Sequence, residues 1–148
     1  MSLGIVGNYT CTIDPKHRVC IPAKIRESLG SKFKAMCDLH EPCIHLFPPE
    51  QWSEYERRIN ESLKDTADGW LKDAIFSNTF DADVDTMGRI VITQPYFDEL
   101  GFSKEAVVTG YSGRAKLWPK EQWDARAKQN RSAEAKERSM SRMSELGL

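Results

Sequence analysis

The sequence repeats itself at a fixed spacing, and this repeat limits the possible folds more than any other feature. A shift of 71 residues places residues 13–30 on residues 84–101, and residues 35–52 on residues 106–123, without a gap. Between positions 14 and 52, 11 of the 39 aligned pairs are identical, whereas unrelated sequences of ordinary composition would share about two or three. The chain is therefore predicted to contain two copies of one structural unit.

Both copies show the same order of expected elements. A strand leads to Asp14 or Asp85, a tight turn follows, and a second strand starts at Arg18 or Arg89. A short helix then runs to a Leu-Gly pair, and after two further strands a longer amphipathic helix begins behind a proline. These two further strands are expected at residues 34–39 and 43–47 in the first copy, and at 105–110 and 114–118 in the second.

A unit of roughly 50 residues buries too little apolar surface to be stable alone. We therefore expect the two copies to share one core about a pseudo-twofold axis, with their strands interleaved into a small closed β-barrel. The expected class is α+β, with two tandem βαββα-type repeats and peripheral helices. The predicted boundaries are a first repeat at 7–60, a helical connection at 61–77, a second repeat at 78–125 and a helical or frayed tail at 126–148. Residues 1–6 are expected to be an extended first strand or a non-native addition.

Charge is distributed unevenly along a chain whose formal net charge is only −1. Residues 1–36 carry +4, residues 37–102 carry −9 and residues 103–148 carry +4. A basic block beside an acidic one can attract a polyanion to one face of a protein, and scattered solvated charge is an equally compatible interpretation.

The cysteines and the N-terminal segment favour a cytoplasmic protein. The four cysteines (Cys11, Cys20, Cys37 and Cys43) form no C-x-x-C motif. The first nine residues have neither the basic nor the apolar region of a secretory signal. The sequence also has no run of 18 apolar residues, so no membrane span is predicted.

Two D-x-x-x-R motifs, each followed by an apolar triplet, a short helix and Leu-Gly, resemble the MraZ family of the AbrB-like DNA-binding superfamily. The segment DPKHRVCIPAKIRESLG carries the first motif, and the resemblance extends over residues 7–125. It implies a swapped-hairpin or double-psi-like β-barrel that assembles into rings. It also implies a nucleoid-associated transcriptional regulator, chiefly a repressor, that binds repeated operator sequences upstream of the cell-division and cell-wall genes. His17 departs from the glycine usual in the family, so this turn is expected to differ in type or to carry a titratable contact.

The candidate DNA-binding residues are basic side chains at and after the turns. They are Lys16, His17, Arg18, Lys24, Arg26 and Arg89. A guanidinium held by a rigid turn can contact a phosphate or the O6 and N7 atoms of guanine with two hydrogen bonds. On spacing alone, stabilisation of the hairpin is an equally compatible role for each arginine, and the family resemblance assigns Arg18 to DNA. Asp14 and Asp85 are expected to hold the arginines, and Gly88 to supply a positive φ.

The two copies differ in charge around the motif. The second copy has Met87, Gly88, Pro95 and Phe97 where the first copy has basic residues or histidine. We therefore expect the first copy to make most of the DNA contacts, and the second to complete the barrel or a ring interface.

Three alternatives have weaker signals. Cys37, His40, Cys43 and His45 are of ligand types that zinc prefers, but strand alternation places the first two on opposite faces. No catalytic motif is present, so neither an enzyme, a cofactor nor a small-molecule substrate is predicted. An antitoxin-like protein-interaction module of the same fold is the main alternative to a DNA-binding regulator. Trp52 and Trp123 are expected to pack on the sheet rather than to stack on bases.

Overall fold

The computed structural model describes residues 4–148, so part of the segment 1–6 lies outside the described residues. The strands are β1 (Asn8–Thr12), β2 (Arg18–Cys20), β3 (Lys32–Cys37), β4 (Ile44–Phe47), β5 (Thr79–Asp83), β6 (Arg89–Val91), β7 (Glu105–Tyr111) and β8 (Arg114–Pro119). The helices are α1 (Ala23–Leu29), α2 (Pro49–Ser62), α3 (Gly69–Ser77), α4 (Gln94–Leu100), α5 (Lys120–Asn130) and α6 (Ala133–Glu145). Between residues 4 and 148, no helix has the length and apolar content needed to cross a membrane.

Hydrogen bonding between strands joins the two repeats throughout the fold. One antiparallel sheet has the order β1-β7-β8-β4-β3-β5, and β2 pairs with β6 in a second sheet. Exchanging β1–β4 with β5–β8 leaves this order unchanged, as a pseudo-twofold axis requires. The first strand of each repeat pairs with the third strand of the other, and the second and fourth strands pair with their own counterparts. The α+β class and the interleaving of two repeats are therefore confirmed.

The larger sheet differs from the expected closed barrel, because its edge strands β1 and β5 are not paired with each other. After β1, an isolated bridge between Ile13 and Val19 links the first strand region to β2. Val19 and Ile90 of the small sheet pack in the same apolar cluster as Leu46 and Leu117 of the large sheet. The core therefore lies between two sheets rather than inside one continuous barrel.

A second apolar cluster lies on the outer face of the large sheet, under α2 and α3. Trp52 is 7% exposed and contacts Phe47 edge to face, with 5.4 Å between ring centroids. Ile75 and Phe76 of α3 pack against the same cluster. In the second repeat Trp123 is half-buried, 5.7 Å from Trp118. Both tryptophans therefore pack against neighbouring aromatic rings, as expected for residues in the first turn of a helix that lies on a sheet.

The helical segments after each repeat differ in their packing. The connection between the repeats comprises the end of α2, a 3-10 turn at Thr66–Asp68 and α3. The tail is helical as expected, because α6 continues to Glu145. Ala135 of α6 is buried, whereas Met140 and Met143 are exposed. The α6 helix therefore presents apolar side chains to solvent.

The turns after β1 and β5 each lie under a helix of the other repeat. Gly88 has φ +80°, and a Cβ atom added there would lie 2.7 Å from Cζ of Arg26 in α1. His17 is in the equivalent position, with φ 62°, and its ring stacks on Phe97 of α4 at 3.6 Å between centroids. The two turns thus meet different helix residues, and the missing side chain at position 88 makes room for the arginine.

We expect Gly88→Ala to destabilise the fold more than Gly101→Ala. Gly101 also has a positive φ, of +85°, but a Cβ atom there would have nothing within 4 Å. Gly101→Ala should therefore report backbone strain alone, about 1–2 kcal/mol of the free energy of unfolding in a urea titration. The additional loss in Gly88→Ala should disappear when Arg26→Ala is combined with it. Equal losses for the two single variants would contradict a role for the contact with Arg26.

Candidate nucleic-acid interface

The two D-x-x-x-R motifs meet in the small sheet, which we call the β2–β6 ribbon. In this ribbon Arg18 lies opposite Val91, and Cys20 lies opposite Arg89. The central residues of the two strands point into the core, so the four residues named are on the outer face. The pairing therefore places both motif arginines on one solvent-facing surface formed by both repeats.

Asp14 fixes the first turn and orients Arg18. Its Oδ1 accepts hydrogen bonds from the backbone N–H groups of Lys16 and Arg18, each at 2.9 Å. Its Oδ2 accepts a bond from Nε of Arg18 at 2.5 Å. The backbone N–H of Arg18, which favours the ionised form, lowers the pKa of Asp14 against a smaller opposing effect of desolvation. The carboxylate therefore stays charged and holds the guanidinium beside the turn.

Asp85 repeats this arrangement in the second motif. Its Oδ1 accepts hydrogen bonds at 2.9 Å from the backbone N–H groups of Met87 and Arg89, and its Oδ2 accepts one at 2.9 Å from Nε of Arg89. The backbone N–H of Arg89 is again the main reason that the pKa of this carboxyl is lowered. Each aspartate is thus hydrogen-bonded to the backbone of its own turn and to the arginine that follows it.

The two arginines converge on one carboxylate. Nη1 of Arg89 lies 3.8 Å from Oδ2 of Asp14, the atom that also accepts from Arg18. The side chains of Arg18 and Arg89 are 32% and 24% exposed, so both are accessible from solvent while their Nε atoms are held. The two motif arginines therefore lie side by side, and the expected division of the two copies between DNA contact and a structural role stays a prediction.

The remaining candidate DNA-binding residues are Lys16, His17, Lys24 and Arg26, and they differ in exposure and in their contacts. Lys16 and Lys24 are exposed, one in the first turn and the other on α1. Arg26 donates from Nε to the carbonyl oxygen of Ile21 at 2.8 Å and covers the second turn, so its charge lies beside the motif of the other repeat. His17 is stacked on Phe97, and its backbone N–H donates to the carbonyl oxygen of Asp14 just as that of Gly88 donates to Asp85, so the expected difference in turn type is not observed.

Sequence reasoning missed the crossing of these contacts between repeats, although the 71-residue shift contained a signal for it. Position 17 aligns with 88, and position 26 aligns with 97. The pairs that meet, 17 with 97 and 26 with 88, are therefore equivalent contacts of one duplicated unit. A histidine and a phenylalanine in one pair replace a glycine and an arginine in the other.

The residues considered for a metal site are arranged differently from the expected C-x₂-H-x₂-C-x-H set. Nε2 of His45 lies 2.6 Å from Oδ2 of Asp38 and 4.0 Å from Sγ of Cys43. Within residues 4–148, Asp38, Cys43 and His45 form the group with ligand-like spacing, and Cys37 and His40 are not part of it. Burial raises the pKa of Cys43 to about 12, which disfavours the thiolate that a metal requires. The hydrogen bond between Asp38 and His45 explains why these side chains lie so close together.

The chain was compared with protein families and with curated proteins. The family model "MraZ protein, putative antitoxin-like" matches residues 5–73 and again residues 75–143. Two relatives named transcriptional regulator MraZ are from Heliobacterium modesticaldum, 32% identical over 80% of this chain and 82% of its own length, and from Desulforamulus reducens, 33% identical over 80% and 84%. A third of the same name, from Lachnoclostridium phytofermentans, is 29% identical over 97% of both chains. With two family matches that together cover nearly the whole sequence, this chain belongs to the MraZ family.

Proposed function

We propose that this protein is a DNA-binding transcriptional regulator, and that it contacts double-stranded DNA through the outer face of the β2–β6 ribbon. The observation that carries this proposal is the pair of accessible arginines, each held at Nε by an aspartate of its own turn. The relatives named transcriptional regulator MraZ support the same function. No enzymatic role is proposed, in keeping with that class of protein.

The β2–β6 ribbon is of a kind that can enter the major groove of DNA. This groove accepts a two-stranded antiparallel ribbon as readily as an α-helix. With Nε engaged by a carboxylate, the terminal nitrogens of Arg18 and Arg89 remain for two-pronged contacts with phosphate or with guanine. Lys16, Lys24 and the terminal nitrogens of Arg26 would add phosphate contacts around the ribbon.

Assembly would supply the affinity that one ribbon lacks. A subunit with only a few phosphate contacts binds weakly at physiological salt. A homo-oligomer, which we propose to be a ring, would present several ribbons to repeated operator sequences and gain by effective concentration. The exposed Met140 and Met143 of α6 and the unpaired sheet edges β1 and β5 are candidate contacts between subunits.

The family resemblance extends this proposal to a biological setting. The regulator would act in the cytoplasm, associated with the nucleoid, mainly as a repressor of the cell-division and cell-wall gene cluster. The DNA upstream of the chain's own gene is therefore the first operator to test.

A second candidate function is binding of a protein partner, as in an antitoxin. The observation that favours it is the exposure of apolar side chains on the same surface, since Met87 is 67% and Val91 is 51% exposed. Apolar groups beside arginines are typical of protein interfaces. Uniformly weak DNA binding that does not distinguish the upstream DNA from a scrambled duplex would favour this function.

We expect Arg18→Ala and Arg89→Ala to weaken operator binding by comparable factors, each tenfold or more. Both guanidinium groups lie at the same carboxylate, so removal of either takes a cation from one surface. Gel-shift titrations against upstream and scrambled DNA would measure the effect. Arg138→Ala, which removes the same charge from an exposed position on α6, is the matched control and should bind like the parent.

Two results would contradict the proposed interface. Retained affinity in Arg18→Ala would exclude this arginine from DNA binding. A large loss for Arg18→Ala with a small one for Arg89→Ala would support the assignment in which the first repeat makes most of the DNA contacts. Thermal unfolding of each variant distinguishes lost contacts from lost structure.

We expect the protein to be oligomeric and its binding to depend steeply on salt. Static light scattering should give a mass above the 16.9 kDa of one chain. The slope of log K against log salt concentration should exceed the value for one ribbon, because each phosphate contact contributes about 0.9 to it. A monomeric mass at micromolar concentration would exclude the ring, and a slope near zero would exclude a phosphate interface.

A further inference from the structure

The outer face of the large sheet, opposite the core and the β2–β6 ribbon, contains a small cleft between α2 and the turn that joins β7 to β8. Its walls include Phe47, Tyr55 and Tyr111, and its cations are Arg58 and Arg114. The volume is about 230 Å³, below the usual range for drug-sized ligands and sufficient for a small chemical group. No part of the DNA-binding proposal uses this cleft.

Arg114 has an unusual environment for a guanidinium. Its Cζ lies 4.9 Å from the ring centroid of Phe47, 5.2 Å from that of Tyr111 and 5.7 Å from that of Tyr55. Its Nε is fully buried and has no hydrogen-bond partner in the part of the chain that the structure describes. A buried donor of a charged group that lacks a hydrogen bond lowers the stability of the fold. The contacts of the guanidinium with aromatic rings offset only part of this loss.

Arg114 also has no ion-pair partner among residues 4–148, and the same is true of Arg58 on α2. The neighbouring Arg57 does have partners, since it pairs with Glu54 and with Glu61. Glu54 is the acidic residue that lines the cleft, and both of its oxygens accept hydrogen bonds from Arg57. The cleft therefore holds two guanidinium groups without a direct ion pair, beside a carboxylate that is hydrogen-bonded to Arg57.

The electrostatics of the same sheet face favour an anion over a metal ion. The pKa of His45 is lowered, chiefly by burial, and the charge of Arg114 adds to this effect although the hydrogen bond that His45 donates to Asp38 opposes it. Lys116 lies next on the same face, 4.0 Å from the ring centroid of Tyr111. A cation would be repelled here, whereas an oxyanion would meet two guanidinium groups in a partly desolvated site.

We propose that Arg58 and Arg114 form a binding site for a small oxyanion, either a carboxylate or a phosphate group, separate from the DNA-binding ribbon. A planar guanidinium can donate two parallel hydrogen bonds to such a group. The aromatic walls hold Arg114 in place and exclude water from one side. The oxyanion can come from solution or from an acidic side chain of a second copy of this chain.

The test is a titration of the full-length protein with sodium phosphate and with sodium acetate, each compared with sodium chloride at equal ionic strength. The arginine Nε–Hε signals in heteronuclear NMR report the site directly. We expect the signal of Arg114 to shift saturably with phosphate or acetate and not with chloride. Arg58→Gln should weaken this response at least fivefold, because it removes the second cation.

Two further variants test the role of the guanidinium. Phosphate bound at this site should raise the Tm of the parent protein, because a ligand that binds the folded state stabilises it. Arg114→Met, which keeps an unbranched apolar side chain among the aromatic rings, should abolish this rise, and Arg114→Lys should reduce it at least threefold while keeping the charge. Arg18→Ala should leave the response of Arg114 unchanged, which separates this site from phosphate binding at the ribbon. Arg138→Gln is the control for loss of one exposed charge.

The outcomes distinguish the source of the oxyanion. Saturable binding of free phosphate or acetate supports a site for a soluble ligand. If a carboxylate of a second copy occupies the site, the Arg114 signal should respond to phosphate only after dilution has separated the copies. In that case Arg114→Met should also have a lower mass than the parent protein by light scattering. The proposal is overturned if phosphate and acetate give no larger change in the Arg114 signal than chloride does, at both high and low protein concentration. It is also overturned if Arg18→Ala removes the response.

Discussion

Strand pairing between the repeats is the interaction on which the rest of this structure depends. The edge strands β1 and β5 find partners only in the opposite repeat, and the small sheet consists of one strand from each. Because neither half retains a complete sheet when separated, the core can form only when both are present. The same pairing brings Asp14, Arg18, Asp85 and Arg89 together, so the candidate interface is a product of the fold's symmetry.

Much of this architecture could be predicted from the sequence because duplication makes the pattern visible twice. The positions of the turns at Asp14 and Asp85 and of the proline-started helices follow from local residue types, and the structure places them as expected. The hydrogen bonds from Asp14 and Asp85 to their own arginines also follow from spacing within a turn. These are local properties, and local properties are what a sequence pattern records best.

The differences concern contacts between segments that are distant in the sequence. Whether a sheet closes depends on the pairing of β1 with β5, which no periodicity encodes, and here those edges stay apart. Proximity along the chain assigns Arg26 to the first motif, whereas in the structure its side chain lies beside Gly88 of the second motif. The aromatic surroundings of the Arg114 guanidinium had no sequence signal, since they come from β4, α2 and β7.

The crossed contacts at the turns restrict how the two repeats can diverge after duplication. A side chain introduced at position 88 requires the guanidinium of Arg26 to move, and a small residue at position 97 would leave the ring of His17 without its stacking partner. We therefore expect a substitution at one of these positions to be accompanied by a substitution at its contact partner in the other repeat. Such paired change would preserve the shape of the turns while allowing the charge around each motif to vary, which gives this scaffold a route to new binding preferences.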